Sequence, residues 1–255
     1  MALSNVPPFM KAKVAALLLA YVMPTGGVLK RFAASRDDLN VTQLKASGVA
    51  AVSPVLAKDV ASSLGVNWNS GELTLNAVLS VRFPGRCRID LSSPDSTKTI
   101  SVAVSAGKKH FEGAELAPLG VALEQACAIL ALKSGEDGST REALLKHLGS
   151  LKVETKYVSL ARLDGAVSST AVSYLIGNKT EGEPQLWVSK DRFLPTRLRF
   201  NEGTTAWDVR FSDYTSQATG EVWPRVLEIS KGNEPQLRVM VLSADNKADL
   251  SQVKF

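Results

Sequence analysis

The residue types that support catalysis or metal binding are few in this chain and poorly spaced for either. His110 and His147 are its two histidines, and neither has a serine or cysteine in a nucleophile-elbow setting that could complete a catalytic triad. With the two cysteines, Cys87 and Cys127, they show no metal-ligand spacing. Carboxylates are scattered over loops, and the sequence has neither a glycine-rich phosphate loop nor a Walker pattern. We therefore expect no enzyme activity, no metal site and no cofactor, and both histidines at the surface.

The two cysteines allow two interpretations. Export to an oxidising compartment would permit one disulfide bond between Cys87 and Cys127. Cys127, however, lies in a very apolar helical pattern, where a buried thiol behaves as a small apolar side chain. This pattern favours two buried thiols, with the disulfide as the alternative.

Composition indicates a globular protein without a nucleic-acid partner. The chain has 255 residues, of which 45% are apolar and 22% charged, so it can bury a sizeable core and is not disordered by charge. Its aromatic fraction is only 6%, and the net charge of +5 is spread along the chain, with no basic block. We therefore predict no binding of nucleic acid.

The N-terminal residues have the order of a secretory signal. Lys11 and Lys13 precede an apolar run over residues 14–23, which Pro24 and a glycine pair at 26–27 end abruptly. The run is about half the length that a bilayer span needs. We predict a signal peptide over residues 1–27, with Met10 as a possible true start; a buried N-terminal helix is the alternative. No lipobox cysteine follows the run, so the processed protein is expected to be soluble in the periplasm.

Alternating apolar and polar residues indicate β-strands over most of the chain. In residues 72–81 every second residue is apolar, and Leu198 and Phe200 alternate with arginines in the same way. Each such strand has one apolar face, and short turns rich in glycine separate consecutive strands. The predicted strands are residues 44–52, 72–81, 86–91, 99–105, 153–163, 166–176, 185–189, 196–200, 206–214, 222–230 and 236–242.

Three segments change to the helical period. Residues 28–39 predict a short amphipathic helix, and residues 115–133 predict a helix that is apolar on nearly all its faces and therefore buried on several sides. Ser139 and Glu142 form a capping box at the start of a third helix that extends to about residue 148. The long connection over residues 54–71 is expected to contain a helical turn around residues 60–64.

These elements predict a mainly β fold with a helical lid, of the α+β class. Consecutive strands joined by tight turns form an antiparallel meander, and a sheet with one apolar face must curl or be covered. We expect a curved antiparallel sheet that forms an unclosed half-barrel covered by internal helices. Residues 28–255 would form one domain, with the lid at about residues 115–148.

Three parts of the sequence resemble the LolA/LolB-like family of periplasmic lipoprotein-localisation proteins, the outer-membrane lipoprotein carriers. They are residues 81–90 (VRFPGRCRID), residues 185–200 (QLWVSKDRFLPTRLRF), and the C-terminal order of residues 208–214 and 220–229, which includes Pro224. The resemblance covers residues 29–255 in element order. It implies an incomplete antiparallel barrel closed by internal helices.

The resemblance also implies a function and a site. Family members carry or receive acylated lipoproteins, and related members bind lipids or form the sensory half of envelope stress regulators. The expected ligand is therefore a lipoprotein acyl chain or a lipid, with an inner-membrane release complex and an outer-membrane receptor as further partners. Arg86 and Arg88 would meet a ligand headgroup at the mouth, or switch the lid by pairing with its backbone carbonyls. The expected ligand-binding residues are Leu75, Leu79, Val81, Ile89, Leu91, Leu198, Phe200, Val209 and Phe211 on the concave face, with Leu116, Leu119, Leu123 and Leu130 on the lid.

Two functions are compatible with this interpretation. The first is a periplasmic carrier that binds acyl chains of lipoproteins or lipids in an apolar concavity and delivers them toward the outer membrane. Each methylene group moved out of water contributes about 0.8 kcal/mol, so such a site needs no specific hydrogen bond. The alternative is a non-carrier interaction or sensor module of the same fold, in which the concave face is packed shut.

Overall fold

A computed structural model of the protein describes residues 22–105, 108–135, 138–162, 172–214, 217 and 219–255. The helices are α1 (Thr25–Asp37), α2 (Pro54–Leu64), α3 (Gly120–Leu130) and α4 (Thr140–Ser150), and a 3₁₀ helix, Ala114–Leu119, leads directly into α3. The strands are β1 (Gln43–Val52), β2 (Leu73–Arg82), β3 (Arg86–Ser92), β4 (Thr99–Ser105), β5 (Lys108–Glu112), β6 (Val158–Arg162), β7 (Val172–Gly177), β8 (Gln185–Ser189), β9 (Pro195–Glu202), β10 (Thr205–Ser212), β11 (Val226–Lys231) and β12 (Glu234–Asp245).

Within these residues, twelve strands form one antiparallel sheet. Their order is β5-β4-β3-β2-β1-β12-β11-β10-β9-β8-β7-β6, and each pairing is antiparallel. The sheet does not close, because β5 and β6 form its two edges. The prediction of an unclosed half-barrel with helices is therefore confirmed.

The curved sheet buries one face and leaves charged groups on the other. On the inner face, Leu198 of β9 lies opposite Val209 of β10, and both side chains are fully buried. On the outer face of the same strands, Arg197 donates to Asp208 with a distance of 2.8 Å from Nε to Oδ1. Such cross-strand pairs stabilise the register, because a slip by one residue would exchange the two faces.

All four helices contribute to the core on the inner face of the sheet. Buried side chains of α1, α2, α3 and α4 join the inward-facing strand residues in one apolar cluster. The helix α3 contacts β4 on one side and β9 and β10 on the other, so it spans the trough of the half-barrel. It is the central part of the predicted lid.

Each segment predicted as helical is helical in the structure, but the lengths of two helices differ from the prediction. The helix expected at residues 115–133 is divided into the 3₁₀ helix and α3, because Pro118 has no N–H to donate within a continuous α-helix. The helical turn expected at 60–64 is a full helix, α2, with Pro54 in its first turn and Leu64 in its last. The capping box of α4 is confirmed: Glu142 N donates to Ser139 Oγ over 3.3 Å, and Ser139 N donates to Glu142 Oε2 over 3.0 Å.

Some predictions fall at or beyond the limits of the described residues. Most of the signal segment, residues 1–21, lies outside them, as do residues 166–171 of one predicted strand, whose remainder forms β7. The helix α1 begins at Thr25, before the expected cleavage after Gly27, and the cleavage site stays a prediction. The edge strand β5 was not predicted, because four of its five residues, KKHFE, are charged or histidine and show no apolar alternation.

Candidate functional site

The predicted ligand-binding residues lie together on the inner face of the half-barrel and on the lid. All of them belong to the single apolar core, and none is more than 5% exposed. They form continuous rows across the strands: Leu79 lies opposite Ile89, and Ile89 lies opposite Val102 of β4. Their function in ligand binding stays a prediction, because the same arrangement would serve as a closed core.

The space between the lid and the floor of the half-barrel is nearly filled. The remaining gap is about 10 Å³, the smallest space that holds a single water molecule. The residues around it are Leu79, Cys87, Ile89, Val102, Val104, Leu123, Ala126, Cys127, Trp223 and Leu227. An acyl chain therefore has room on the concave face only after the lid has moved.

A disulfide bond joins the lid to the floor. Cys127 of α3 is bonded to Cys87 of β3, with their Cα atoms 6.1 Å apart and both residues buried. The interpretation as two buried thiols is therefore wrong. The signal for the bond was present in the sequence: Cys87 alternates with Ile89 on the inner face of its strand, and Cys127 follows Leu123 on the inner stripe of the lid.

A buried arginine holds the C-terminal end of the lid helix. Arg36 of α1 is fully buried, and its Nη2 donates to the carbonyl oxygens of Leu130, at 3.0 Å, and Val222, at 2.9 Å. Its Nε and Nη1 have no hydrogen-bond partner within the described residues. Burial lowers the pKa of Arg36, and the nearby Tyr214 and Glu221 partly oppose that shift.

Arg36 was not among the predicted site residues. A single arginine on the apolar stripe of α1, four positions after the fully buried Phe32, is the signal that could have found it.

The two arginines that the sequence suggested for the lid lie elsewhere. Arg88 alternates with inward-facing residues and so points to the outer face, where it pairs with Asp90 and Glu112, each at 2.8 Å. It also donates to Ser101 Oγ at 3.0 Å. Arg86 is exposed at the start of β3. The expectation that either arginine pairs with a lid carbonyl is corrected, since the guanidinium bound to the carbonyl of Leu130 is that of Arg36. Contact of Arg86 or Arg88 with a ligand headgroup stays a prediction.

A second concavity lies beside the lid helix, between α3 and α4. This α3–α4 cleft has a volume of about 450 Å³. It is lined by Pro84, Gly85, Val104, Glu124, Gln125, Ala128, Ala131, Leu132, Lys133, Ala143, Lys146, His147 and Ser150. Its walls come from four separate segments of the chain, which no local sequence pattern brings together.

His147 lines this cleft and is not a surface group as expected. It is partly buried, and its Nε2 is shielded from water with no hydrogen-bond partner in the part of the chain that the structure describes. Burial lowers the pKa of His147 from 6.5 to about 4, although Glu124 opposes the shift. The imidazole is therefore neutral at physiological pH.

The described residues contain no group of three or more histidine, cysteine, aspartate or glutamate side chains placed to hold a metal ion. None of the helices in the described ranges is long and apolar enough to cross a membrane.

No protein-family model matches the sequence, and no curated protein matches it. Among solved structures, the chain is similar to a LolA superfamily protein from Nitrosomonas europaea, with 8% identity, a TM-score of 0.42, and coverage of 91% of this chain and 97% of that chain. It is also similar to a DUF1329 family protein from Desulfovibrio piger, with 10% identity, a TM-score of 0.42, and coverage of 91% and 98%. A third match is an outer membrane lipoprotein-sorting protein domain from Vibrio parahaemolyticus, with 9% identity, a TM-score of 0.38, and coverage of 90% and 94%.

At these identities and TM-scores, the likenesses do not indicate what this chain binds. Two of the three matched structures carry the family description that the sequence motifs resemble.

Proposed function

We propose that this chain is a carrier of the bacterial cell envelope that binds acyl chains of lipoproteins or lipids on its concave face and delivers them toward the outer membrane. The observation that supports this most is the way the concave face is covered. An entirely apolar floor is covered by helices alone, with α3 spanning the middle of the trough, and no second sheet layer covers it within the described residues. A single helix can be displaced without unpairing any strand.

The free energy needed to expose the lid leucines is of similar size to the free energy gained when an acyl chain takes their place. Exposing the leucines at positions 116, 119 and 123, on the N-terminal side of Cys127, would cost about 4.5–9 kcal/mol, at about 1.5–3 kcal/mol for each side chain. An acyl chain of about sixteen carbons that takes their place gains about 13 kcal/mol, at about 0.8 kcal/mol for each methylene group. A lipid can therefore compete with the lid for the floor, and a shorter chain would do so less well.

Movement of the lid must begin at its N-terminal end. The C-terminal end of α3 is fixed by the bond from Cys127 to Cys87 and by the hydrogen bond from Arg36 to Leu130. The N-terminal half of α3 is held by apolar packing and by an ion pair near the surface. In this pair, Lys109 Nζ of β5 lies 2.7 Å from Glu124 Oε2. Ion pairs of this kind contribute about 0–1 kcal/mol, so they oppose opening only weakly.

The disulfide also supports the proposed location. Disulfides persist in oxidising compartments such as the periplasm and are rare in the cytosol. The signal peptide over residues 1–27 remains a prediction that agrees with this location. An inner-membrane release complex and an outer-membrane receptor are the exchange partners that a carrier of this kind would need.

A second candidate function is a non-carrier interaction or sensor module of the same fold. The observation that favours it is the covalent clamp over a gap of only about 10 Å³. In that case the concave face is a permanent core, and partners contact the outside of the sheet or its edges.

Lipid bound to the purified protein distinguishes the two functions. For a carrier we expect mass spectrometry to find copurified lipid or lipoprotein, and a triacylated peptide to bind where the same peptide without acyl chains does not. Leu123→Arg places a charge under the lid and should abolish this binding, whereas the matched change Leu242→Arg, at a side chain 55% exposed on β12, should not. Equal binding of the acylated and unacylated peptides would contradict the carrier function.

A further inference from the structure

We propose that the α3–α4 cleft is a second ligand site, separate from the concave face, for a single-chain amphiphile with an anionic headgroup. This site does not depend on the proposed carrier function, because its ligand would contact α3, α4 and the turn between β2 and β3, and Val104 is the one residue that the cleft shares with the gap under the lid. Four observations support it: the cleft is preformed, its back wall is apolar, its rim is positively charged, and its volume suits one chain.

The cleft is preformed because the C-terminal half of α3 is fixed from several directions. In addition to the disulfide and Arg36, Gly85 N donates to the carbonyl oxygen of Ala131 over 3.0 Å. Lys133 Nζ then donates to the carbonyl oxygens of Leu39, at 2.8 Å, and Val41, at 3.1 Å. A ligand therefore binds without displacing the lid, and a preorganised site avoids the free-energy cost of ordering its walls.

The walls of the cleft separate into an apolar back and a polar rim. Val104, Ala131 and Leu132 are buried at the back, while Ala143 and Lys146 are exposed at the opening. The helix α3 presents Glu124, Gln125 and Ala128 to the cleft, so the apolar contact available to a ligand is with the back wall. An alkyl chain would supply that apolar contact.

The charges around the cleft favour an anion. Lys146 is exposed at the opening and is the cation that can meet a headgroup, whereas Lys133 adds positive charge with its ammonium bound to the carbonyl oxygens of Leu39 and Val41. The carboxylate of Glu124, which also lines the cleft, is paired with Lys109, 2.7 Å away. The neutral imidazole of His147 adds a water-shielded Nε2 without a partner, and a headgroup oxygen would restore a hydrogen bond there. Carboxylate and phosphate headgroups share this chemistry.

The volume of the cleft decides between an alkyl chain and a partner helix. A helix with side chains is about 10 Å wide, so a segment only about 10 Å long would fill roughly 800 Å³. The cleft offers about 450 Å³, which lies within the range of small-ligand pockets. One flexible chain fits inside the cleft, whereas a partner helix would lie across its opening and leave the apolar back wall unfilled.

Binding of dodecanoate by calorimetry tests the proposal, with dodecyltrimethylammonium as the cationic probe. Ala143→Trp fills the cleft from an exposed position and should weaken dodecanoate binding by about tenfold or more, because a few buried methylene contacts are lost. The matched change Ala34→Trp, at an exposed alanine of α1, should leave it unchanged. Lys146→Glu should weaken binding by about three- to tenfold, and Lys58→Glu on α2 should not. Unchanged affinity in Ala143→Trp, or equal affinity for the cationic probe, would overturn the proposal.

Photolabelling separates this site from the carrier site. A dodecanoate analogue with a photoreactive group at the chain end should label residues 124–133 and 143–150. Labelling confined to the floor strands β2 and β3 would overturn the cleft site and leave the carrier function standing, whereas β4 contributes Val104 to both sites and does not discriminate. Labelling of the cleft, together with failure of the acylated peptide to bind, would establish the cleft site and remove the carrier function.

Discussion

Removal of the Cys87–Cys127 disulfide should lower the free energy of unfolding by about 4 kcal/mol, from the entropy of closing a loop of this length in the unfolded chain. The bonded residues are 40 apart in sequence, and the closed loop contains β4, β5, the 3₁₀ helix and most of α3. Without the bond, the lid keeps its apolar contacts and the hydrogen bond from Arg36 but loses its covalent attachment to the floor. The protein should therefore stay folded, with a less stable and more easily opened lid.

Urea unfolding followed by tryptophan fluorescence measures this difference, and Trp223 beside the gap under the lid is a local reporter. Two perturbations are compared: reduction of the wild type by a phosphine, and the double variant Cys87→Ala/Cys127→Ala. The double variant should lose slightly more stability, because truncation at a buried position also leaves a small cavity. The phosphine should have no effect on the double variant, which controls for effects of the reductant elsewhere.

The binding of a triacylated peptide completes the test. If the disulfide restrains the lid, association should be faster in the reduced wild type and in the double variant than in the oxidised protein. A stability difference below about 1 kcal/mol between oxidised and reduced protein would refute the loop-closure reasoning, since the expected value is several times larger. Equal association rates in the two forms would refute the view that the bond limits opening.

Three further predictions concern the scaffold and the cleft. Gly48→Ala should destabilise the protein by about 1–3 kcal/mol in urea unfolding, because a Cβ atom at this position would overlap the backbone oxygen of Met240 on the paired strand β12. Ser139→Ala should cost about 1 kcal/mol in the same assay, because it removes the acceptor of the α4 capping box, and Ser139→Gly should cost only a few tenths. The pKa of His147 is lower in the folded protein, about 4, than its ordinary 6.5, so the unfolded chain binds more protons between these values. The stability that neutral His147 contributes is then complete above pH 6.5 and is lost as the pH falls toward 4. In urea unfolding, the wild type should lose about 1–2 kcal/mol more of its free energy of unfolding between pH 7 and pH 4.5 than His147→Gln loses.

The fold could be predicted because its main signals are local. Alternation with a period of two identified the inner face of β2, β9 and β10, and turn residues marked most of the hairpins. The box of Ser139 and Glu142 identified the start of α4 to the residue. The sequence pattern missed an element where the pairing of a strand is not reflected in its own residues. The strand β5 is an edge whose charged residues face water on both sides, so its pairing with β4 is visible only in space.

The residues of the candidate site could be predicted from the sequence, but whether the lid is open or closed could not. Period and alternation identify which side chains face inward, and that set is the same whether the lid is open or closed. The position of α3 depends on contacts between residues distant in sequence, such as Cys87 with Cys127 and Arg36 with Leu130. The α3–α4 cleft depends in the same way on how two helices and the turn between β2 and β3 approach one another.

The position of the disulfide along the lid sets how the lid can open. Leu119, where the 3₁₀ helix meets α3, precedes Cys127 by eight residues, or about 12 Å along a helix. An alkyl chain under the lid needs a gap of about 4 Å, the contact distance between non-bonded carbons. With Cys127 as the pivot, a rotation of roughly 20° opens that gap at Leu119 while the bond to Cys87 stays intact. The clamp is therefore compatible with a carrier whose ligand is admitted at the N-terminal end of the lid, and the space gained decreases toward Cys127. The α3–α4 cleft, which is built on the fixed end of the same helix, would keep its shape in both positions of the lid.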